Sequence, residues 1–218
     1  MARGTDFGGV HSYRDLHLVQ AAVDVQPAEP KTNFIDIPGA DGSKDLSESP
    51  AGRVVYNSRE ITWTYKLYPG DNWVAKYAQV SNALNGKSCK ITLDDDPDYY
   101  YQGRVLVDKH AADGILHTIT VVAICQPYKL CHDTTSHSAN LTTSYSTLTL
   151  INERKPVIPS ITVSVPTTLL WKGNTYAVTA GTHRLLDIML VEGSNTLQAK
   201  TTSAGSGTIK VAFQKGAL

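Results

Sequence analysis

The stretch "REITWTYKLYPGD", Arg59 to Asp71, decides the fold class. Ile61, Trp63, Tyr65 and Leu67 fall on one face of an extended chain and Thr62, Thr64 and Lys66 on the other, which describes a strand with one buried and one wet side. Pro69 and Gly70 end it. Toward the C-terminus, "SCKITL" from Ser88, "YYYQGRVLVDK" from Tyr99 and "ILHTITVVAIC" from Ile115 read as further strands, with turns at "DDDPD" and "AADG" between them. One segment has another period. Trp73, Tyr77, Val80 and Leu84 lie on a single helical stripe, so "WVAKYAQVSNAL" is predicted to be a helix crossing one face of the sheet. Asp71 can cap its start, and Gly86 can take the left-handed position beyond its end.

After "CQPYKL" the composition changes. "CHDTTSHSANLTTSYST", Cys131 to Thr147, is rich in Ser and Thr and reads as a linker or as an exposed first strand. Short β runs follow at "TLTLI", "SITVSV", "TLLW", "TYAV", "LLDIMLV", "NTLQAK" and "TIKVAF", which suggests a small antiparallel sandwich. The expectation is therefore a mainly β protein in two domains: residues 1–130, a sandwich or barrel with one helix, and residues 131–218, a small β-sandwich including the Ser/Thr-rich stretch.

With 218 residues, 41% of them hydrophobic, the chain is long enough for one large core or two small ones. Twenty basic and twenty acidic side chains cancel, so no global field draws it to nucleic acid or to an anionic membrane surface. The N-terminus has no apolar core of signal-peptide length, and no run approaches the roughly 20 apolar residues of a membrane span. A soluble product not exported by that route is expected. Cys89, Cys125 and Cys131 leave one thiol unpaired in any pairing and lie too far apart for a zinc ribbon, which indicates a reducing compartment.

The search for chemistry gives little. Asp94, Asp95, Asp96 and Asp98 lack the glycine and distal Glu of a calcium loop and read as a solvated turn. Cys131, His132 and His137 have no fourth ligand at a suitable spacing. The other histidines stand singly, with no nucleophile motif to serve, and "GSGT" at Gly205 lacks the lysine and helix of a phosphate loop. Trp171 and Tyr176 flank "KGN" on a candidate hairpin that can display aromatic faces to a sugar or pack them inward. No catalytic residue, cofactor or metal is expected. An all-β chain without a catalytic constellation points to binding or assembly.

One further segment is unusual. "NFIDIPGADGSKDLSES", Asn33 to Ser49, begins as an apolar strand and ends as a polar loop. Such a segment is costly on a monomer and sensible where a neighbour covers it.

The stretches "IDIPGADGSKDLSES", "GRVVYNSREITWTY", "LNGKSCKITLDDDPDYYYQGRV" and "GTIKVAFQKGAL", in that order, resemble the distal tail proteins of long-tailed bacteriophages. The resemblance covers nearly the whole chain. It implies a virion protein, made in the cytoplasm of a bacterial host, that forms a ring, usually a hexamer, joining the tail tube to the baseplate or tail-tip proteins. It also implies N-terminal domains around a channel and galectin-like C-terminal sandwiches outside it. In the family the corresponding hairpin clasps the next subunit. Phe34, Ile35 and Ile37 would then give buried contact, and Pro38, Gly39, Asp41 and Gly42 the turn that directs the arm. From periodicity alone, an ordinary strand with a mobile loop stands level with the clasp. Two other functions stand beside the ring: a carbohydrate-binding module using Trp171 and Tyr176, and another tail-tube or baseplate subunit.

Overall fold

A computed structural model describes residues 3–113, 116–203 and 205–218. The chain divides into two compact units, Met1–Lys129 and Leu130–Leu218. In the first, the elements are β1 (Thr5–Phe7), β2 (Val19–Val25), β3 (Phe34–Asp36), β4 (Ser43–Asp45), β5 (Arg59–Lys66), α1 (Trp73–Leu84), β6 (Ser88–Leu93), β7 (Tyr99–Asp113) and β8 (Leu116–Cys125). Six of these strands join in the antiparallel order β1-β6-β7-β8-β5-β2. The Thr5 hydroxyl donates to Gln20 Oε1 at 2.9 Å, so β1 returns to β2 and the sheet curls toward a barrel.

Strand β5 alternates as the side-chain period requires, with Ile61, Trp63 and Tyr65 buried and Thr62 and Thr64 half-covered. Leu67, just beyond it, is also buried. Trp63 meets Phe7 edge to face at 5.0 Å, and Val80, Leu84, Ile91, Val105 and Ile119 complete this core. The strand ends in a tight turn, where the Asp71 amide donates to the Tyr68 carbonyl at 3.1 Å across Pro69 and Gly70 (φ +90°). Pro at the second position and a left-handed Gly at the third are what a type II turn demands. Asp71 is thus used in the turn, and the cap falls one residue later than expected. Asn72 Oδ1 accepts from the Val74 and Ala75 amides at 3.1 and 3.3 Å. Gly86 is left-handed, as the sequence requires (φ +77°). The helical stripe is only half buried. Val80 and Leu84 are inside, whereas Tyr77 is half-covered and Trp73 is exposed with its ring stacked on His110 of β7 at 4.2 Å.

The "AADG" turn is placed only in part: Ala111, Ala112 and Asp113 belong to β7, while residues 114 and 115 lie outside the described residues.

The second unit contains β9 (Lys129–Leu141, beginning on the last residue of the first unit), β10 (Ser146–Asn152), β11 (Ser160–Val163), β12 (Thr167–Trp171), β13 (Asn174–Val178), β14 (Gly181–His183), β15 (Gly193–Thr201) and β16 (Gly207–Ala217). They form two four-stranded arrays, β9-β16-β11-β14 and β10-β15-β12-β13. Leu141, Leu150, Ile161, Leu169, Leu197 and Val211 pack between them as one core, so this unit is a β-sandwich. The Ser/Thr-rich stretch is a strand and no linker: 131–141 belongs to β9, whose residues alternate between half-covered and exposed over much of its length. Thr and Ser suit an outward strand face, and low hydrophobicity there reflects exposure rather than disorder. "LLDIMLV" forms no strand. Ile188 and Leu190 fill the core from an irregular segment held by an isolated Val157–Leu190 bridge.

Candidate assembly interface

Between β2 and β5, which pair from Val19–Lys66 to Val25–Ile61, the chain leaves the sheet edge as a long hairpin, residues 26–58. Its base is clamped by backbone bonds: Gln26 to Glu60 at 3.0 Å, Lys31 to Val55 at 2.8 Å and Asn57 to Glu29 at 2.8 Å, around a Pro30–Tyr56 bridge. The Tyr56 ring meets Tyr128 edge to face at 5.8 Å. These anchors were not apparent in the sequence, since no local period marks a clamp between chain segments more than twenty residues apart.

Beyond the clamp, β3 and β4 form a two-stranded ribbon with Phe34 opposite Asp45, Ile35 opposite Lys44 and Asp36 opposite Ser43. The tip follows the same rule as the turn after β5. Ala40 donates to the Ile37 carbonyl at 3.1 Å across Pro38 and Gly39 (φ +84°), and Gly42 is left-handed too (φ +71°). The return strand is held by Leu46 and Ser47, which bond Asn33 at 2.8 Å each through its carbonyl and amide. Ser43 donates to Asp36, and the Ser47 hydroxyl and amide donate to Asp45. Those two bonds, the hydroxyl foremost, hold the Asp45 carboxyl below its ordinary pKa.

The ribbon buries nothing of its own. Phe34 is 58% exposed, Ile35 46% and Ile37 48%, and Asp41 with the turn residues is exposed as well. By the alternation of a strand, Phe34, Asp36 and Asp45 share one face, and Ile35, Ile37 and Lys44 the other. An isolated two-stranded ribbon is marginally stable in water, so apolar residues on both of its faces call for a covering surface. The segment Asn33–Ser49 carries Asp36, Asp41, Asp45 and Glu48 against Lys44, a charge of −3.

The other candidates are placed elsewhere. Trp171 is 3% exposed in the second core, with Lys172 Nζ 5.5 Å from its ring, so it offers no indole face. Tyr176 lies opposite Leu169 on the same hairpin and is half-covered. The aspartate turn is solvated as expected, with Asp94, Asp95 and Asp98 exposed, and it is tied down by polar contacts as well. Asp94 accepts from the Gly4 amide at 2.8 Å and from His11 Nε2 at 3.2 Å, Asp95 pairs with Arg3 at 3.1 Å, and Asp96 with Lys129 at 2.7 Å. His11 Nδ1 is occupied by the Tyr13 and Arg14 amides at 3.2 and 3.1 Å, so both ring nitrogens are engaged and this His–Asp pair has no free nitrogen to move a proton. A cavity of about 800 Å³ beside it is lined by Arg3, Tyr13, Arg14 and Leu93. Cys131, His132 and His137 lie along one strand, and among the described residues no three His, Cys, Asp or Glu side chains converge as metal ligands. Burial pushes the Cys125 thiol up to about 12, so it is inert near neutrality. No described helix is long and apolar enough to cross a membrane.

With this geometry, the chain aligns with the crystal structure of the SPP1 Dit protein (gp 19.1) over 100% of both chains, at a TM-score of 0.70 and 16% sequence identity. The chain has the distal tail protein fold. The SPP1 protein is described as a paradigm of the hub adsorption apparatus in phages that infect Gram-positive bacteria. A structure from the virion of a native gene transfer agent particle matches 56% of this chain and 90% of its own at 11% identity and a TM-score of 0.34, too distant to carry an argument. No family model and no curated protein matches the sequence.

Proposed function

We propose that the chain is a structural protein of a phage virion that assembles into a ring, six copies in number, at the distal end of the tail, where it joins the tail tube to tail-tip or baseplate proteins. Its role is assembly rather than catalysis. The observation that carries this reading is the arm: an ordered ribbon with Phe34, Ile35 and Ile37 exposed, on a fold shared along its full length with a hub protein. The sheet geometry supports a closed ring. Strand β2 is an edge of seven residues without Lys or Pro to guard it, so its outer backbone groups can pair with a neighbouring copy. The second unit, with its tryptophan packed inside, serves as a structural domain rather than a sugar reader. Native mass spectrometry of the full chain tests the reading: a six-copy particle supports it, and a stable monomer at micromolar concentration refutes it.

A further inference from the structure

We infer that the landing site of the arm is a basic and apolar patch on the outer face of β6, β7 and β8 in the next copy, an inference that rests on the ring reading above. On β6 and β7, Ser88 lies opposite Arg104 and Lys90 opposite Gln102, and on β7 and β8 Arg104 lies opposite Ile124. Paired residues share a face, and Leu106 follows Arg104 by two residues on that same face. The patch therefore sets Lys90 and Arg104 beside Leu106 and Ile124, with Lys87 just before the strand. Leu106 is 43% exposed and Ile124 44%, and Lys87, Lys90 and Arg104 are exposed too. Arg104 is steered by donating to the Gly86 carbonyl at 2.5 Å, and Lys90 lies 4.5 Å over the Tyr100 ring. The acidic neighbours are Glu60, opposite Ile124 on β5, and Asp108, two residues beyond Leu106.

One face of the arm carries the complementary set: Phe34 with Asp36 and Asp45. An aromatic ring between two carboxylates matches two aliphatic side chains beside two or three cations. Position agrees with chemistry. The arm leaves at the β2 edge, level with Ile61 on β5 by register, and the patch lies at the same level toward the opposite side of the sheet, since Glu60, Ile124 and Arg104 stand in one cross-strand row. From Gln26 to Ile37 the extended chain spans up to about 35 Å, whereas the width of a few strands is about 15–20 Å. Because arm and patch are different surfaces, the contact is head-to-tail and repeats around a ring rather than closing a dimer.

The test uses the full-length chain. Phe34 is replaced by a photo-cross-linking benzoylphenylalanine, and cross-linked peptides are identified after irradiation of an equal mixture of isotopically light and heavy protein. Light-to-heavy links from position 34 to the 102–106 or 122–124 peptides are expected. In parallel, Lys90→Glu with Arg104→Glu should weaken self-association at least tenfold, Asp36→Lys with Asp45→Lys should do the same, and combining the four should restore assembly. Raising the salt concentration should loosen the wild-type contact. If the protein assembles but the links fall elsewhere on the neighbour, or the charge swap gives no rescue, the landing site is wrong while the ring stands. If position 34 links only within its own chain, or the protein stays monomeric, both readings fall.

Discussion

Two stretches of this chain end in the same Pro-Gly turn after a short run of large apolar residues, and they meet opposite fates. Ile61 to Leu67 lays every second side chain into the first core, and Tyr68-Pro69-Gly70-Asp71 closes behind it. Phe34 to Ile37 leads into Ile37-Pro38-Gly39-Ala40 with the same hydrogen bond and the same left-handed glycine, yet all of its side chains face water. The difference lies in the pattern. In β5 the apolar residues keep to one parity, so a single sheet face can bury them. In the arm Phe34 has one parity and Ile35 and Ile37 the other, and a lone ribbon has nothing within the chain to cover either face.

The largest expected effects set the two stretches directly against each other. Trp63→Ala should lower the unfolding free energy of the first unit by about 3–5 kcal/mol, the cost of a large cavity. Ile35→Asp with Ile37→Asp should change it by less than about 0.5 kcal/mol, because these residues are exposed in the single chain. The same pair should abolish the ring. Urea unfolding at a concentration where the protein is dissociated, beside size-exclusion chromatography at assembling concentration, separates the two consequences. A large stability loss from the arm variant would mean that the arm packs on its own subunit.

A smaller contrast concerns the two turns. Gly70→Ala and Gly39→Ala each force a side chain into the left-handed region, at about 1–2 kcal/mol, and an added Cβ meets nothing within 4 Å at either site. Gly70→Ala should therefore lower the melting temperature, since its turn ties β5 to α1. Gly39→Ala should leave melting unchanged and instead speed amide exchange at Ala40 and Leu46. Equal melting shifts would place the arm in the cooperative core.

Much of the fold is legible along the sequence because burial on one face writes a period. Strand β5 and helix α1 are of this kind. Local rules gave way where a neighbour competes. Asp71 is a good cap by type, but the Pro69-Gly70 turn uses its amide and Asn72 takes the role. For strand β9 the sequence left an exposed first strand and a linker level, because Ser and Thr mark both alike, and Ile188 and Leu190 look like a strand although irregular backbone carries them into the core. For the interface, the apolar residues of the arm were visible, whereas the clamp at Pro30 and Tyr56 and the carboxylate side of the ribbon depend on pairing across the hairpin.

The smallest expected effect is a pH dependence confined to the arm. Asp45 has a folded pKa below its ordinary value because Ser47 donates to it, so its contribution to ribbon order is fully present above about pH 4. It is lost as the pH falls through that lowered value. Protection of the Ser47 amide should hold at pH 5 and fade well below pH 4, while Ser47→Ala removes the hydroxyl bond and moves the midpoint upward. No movement in the variant would show that the hydroxyl does not set the titration.

Mass photometry of the wild-type chain beside Ile35→Asp with Ile37→Asp tests the central claim most directly. The account expects wild type at six times the 23.6 kDa of one chain and the folded variant at one chain mass. A wild-type protein that stays at one chain mass, or a variant that assembles as wild type does, would contradict it.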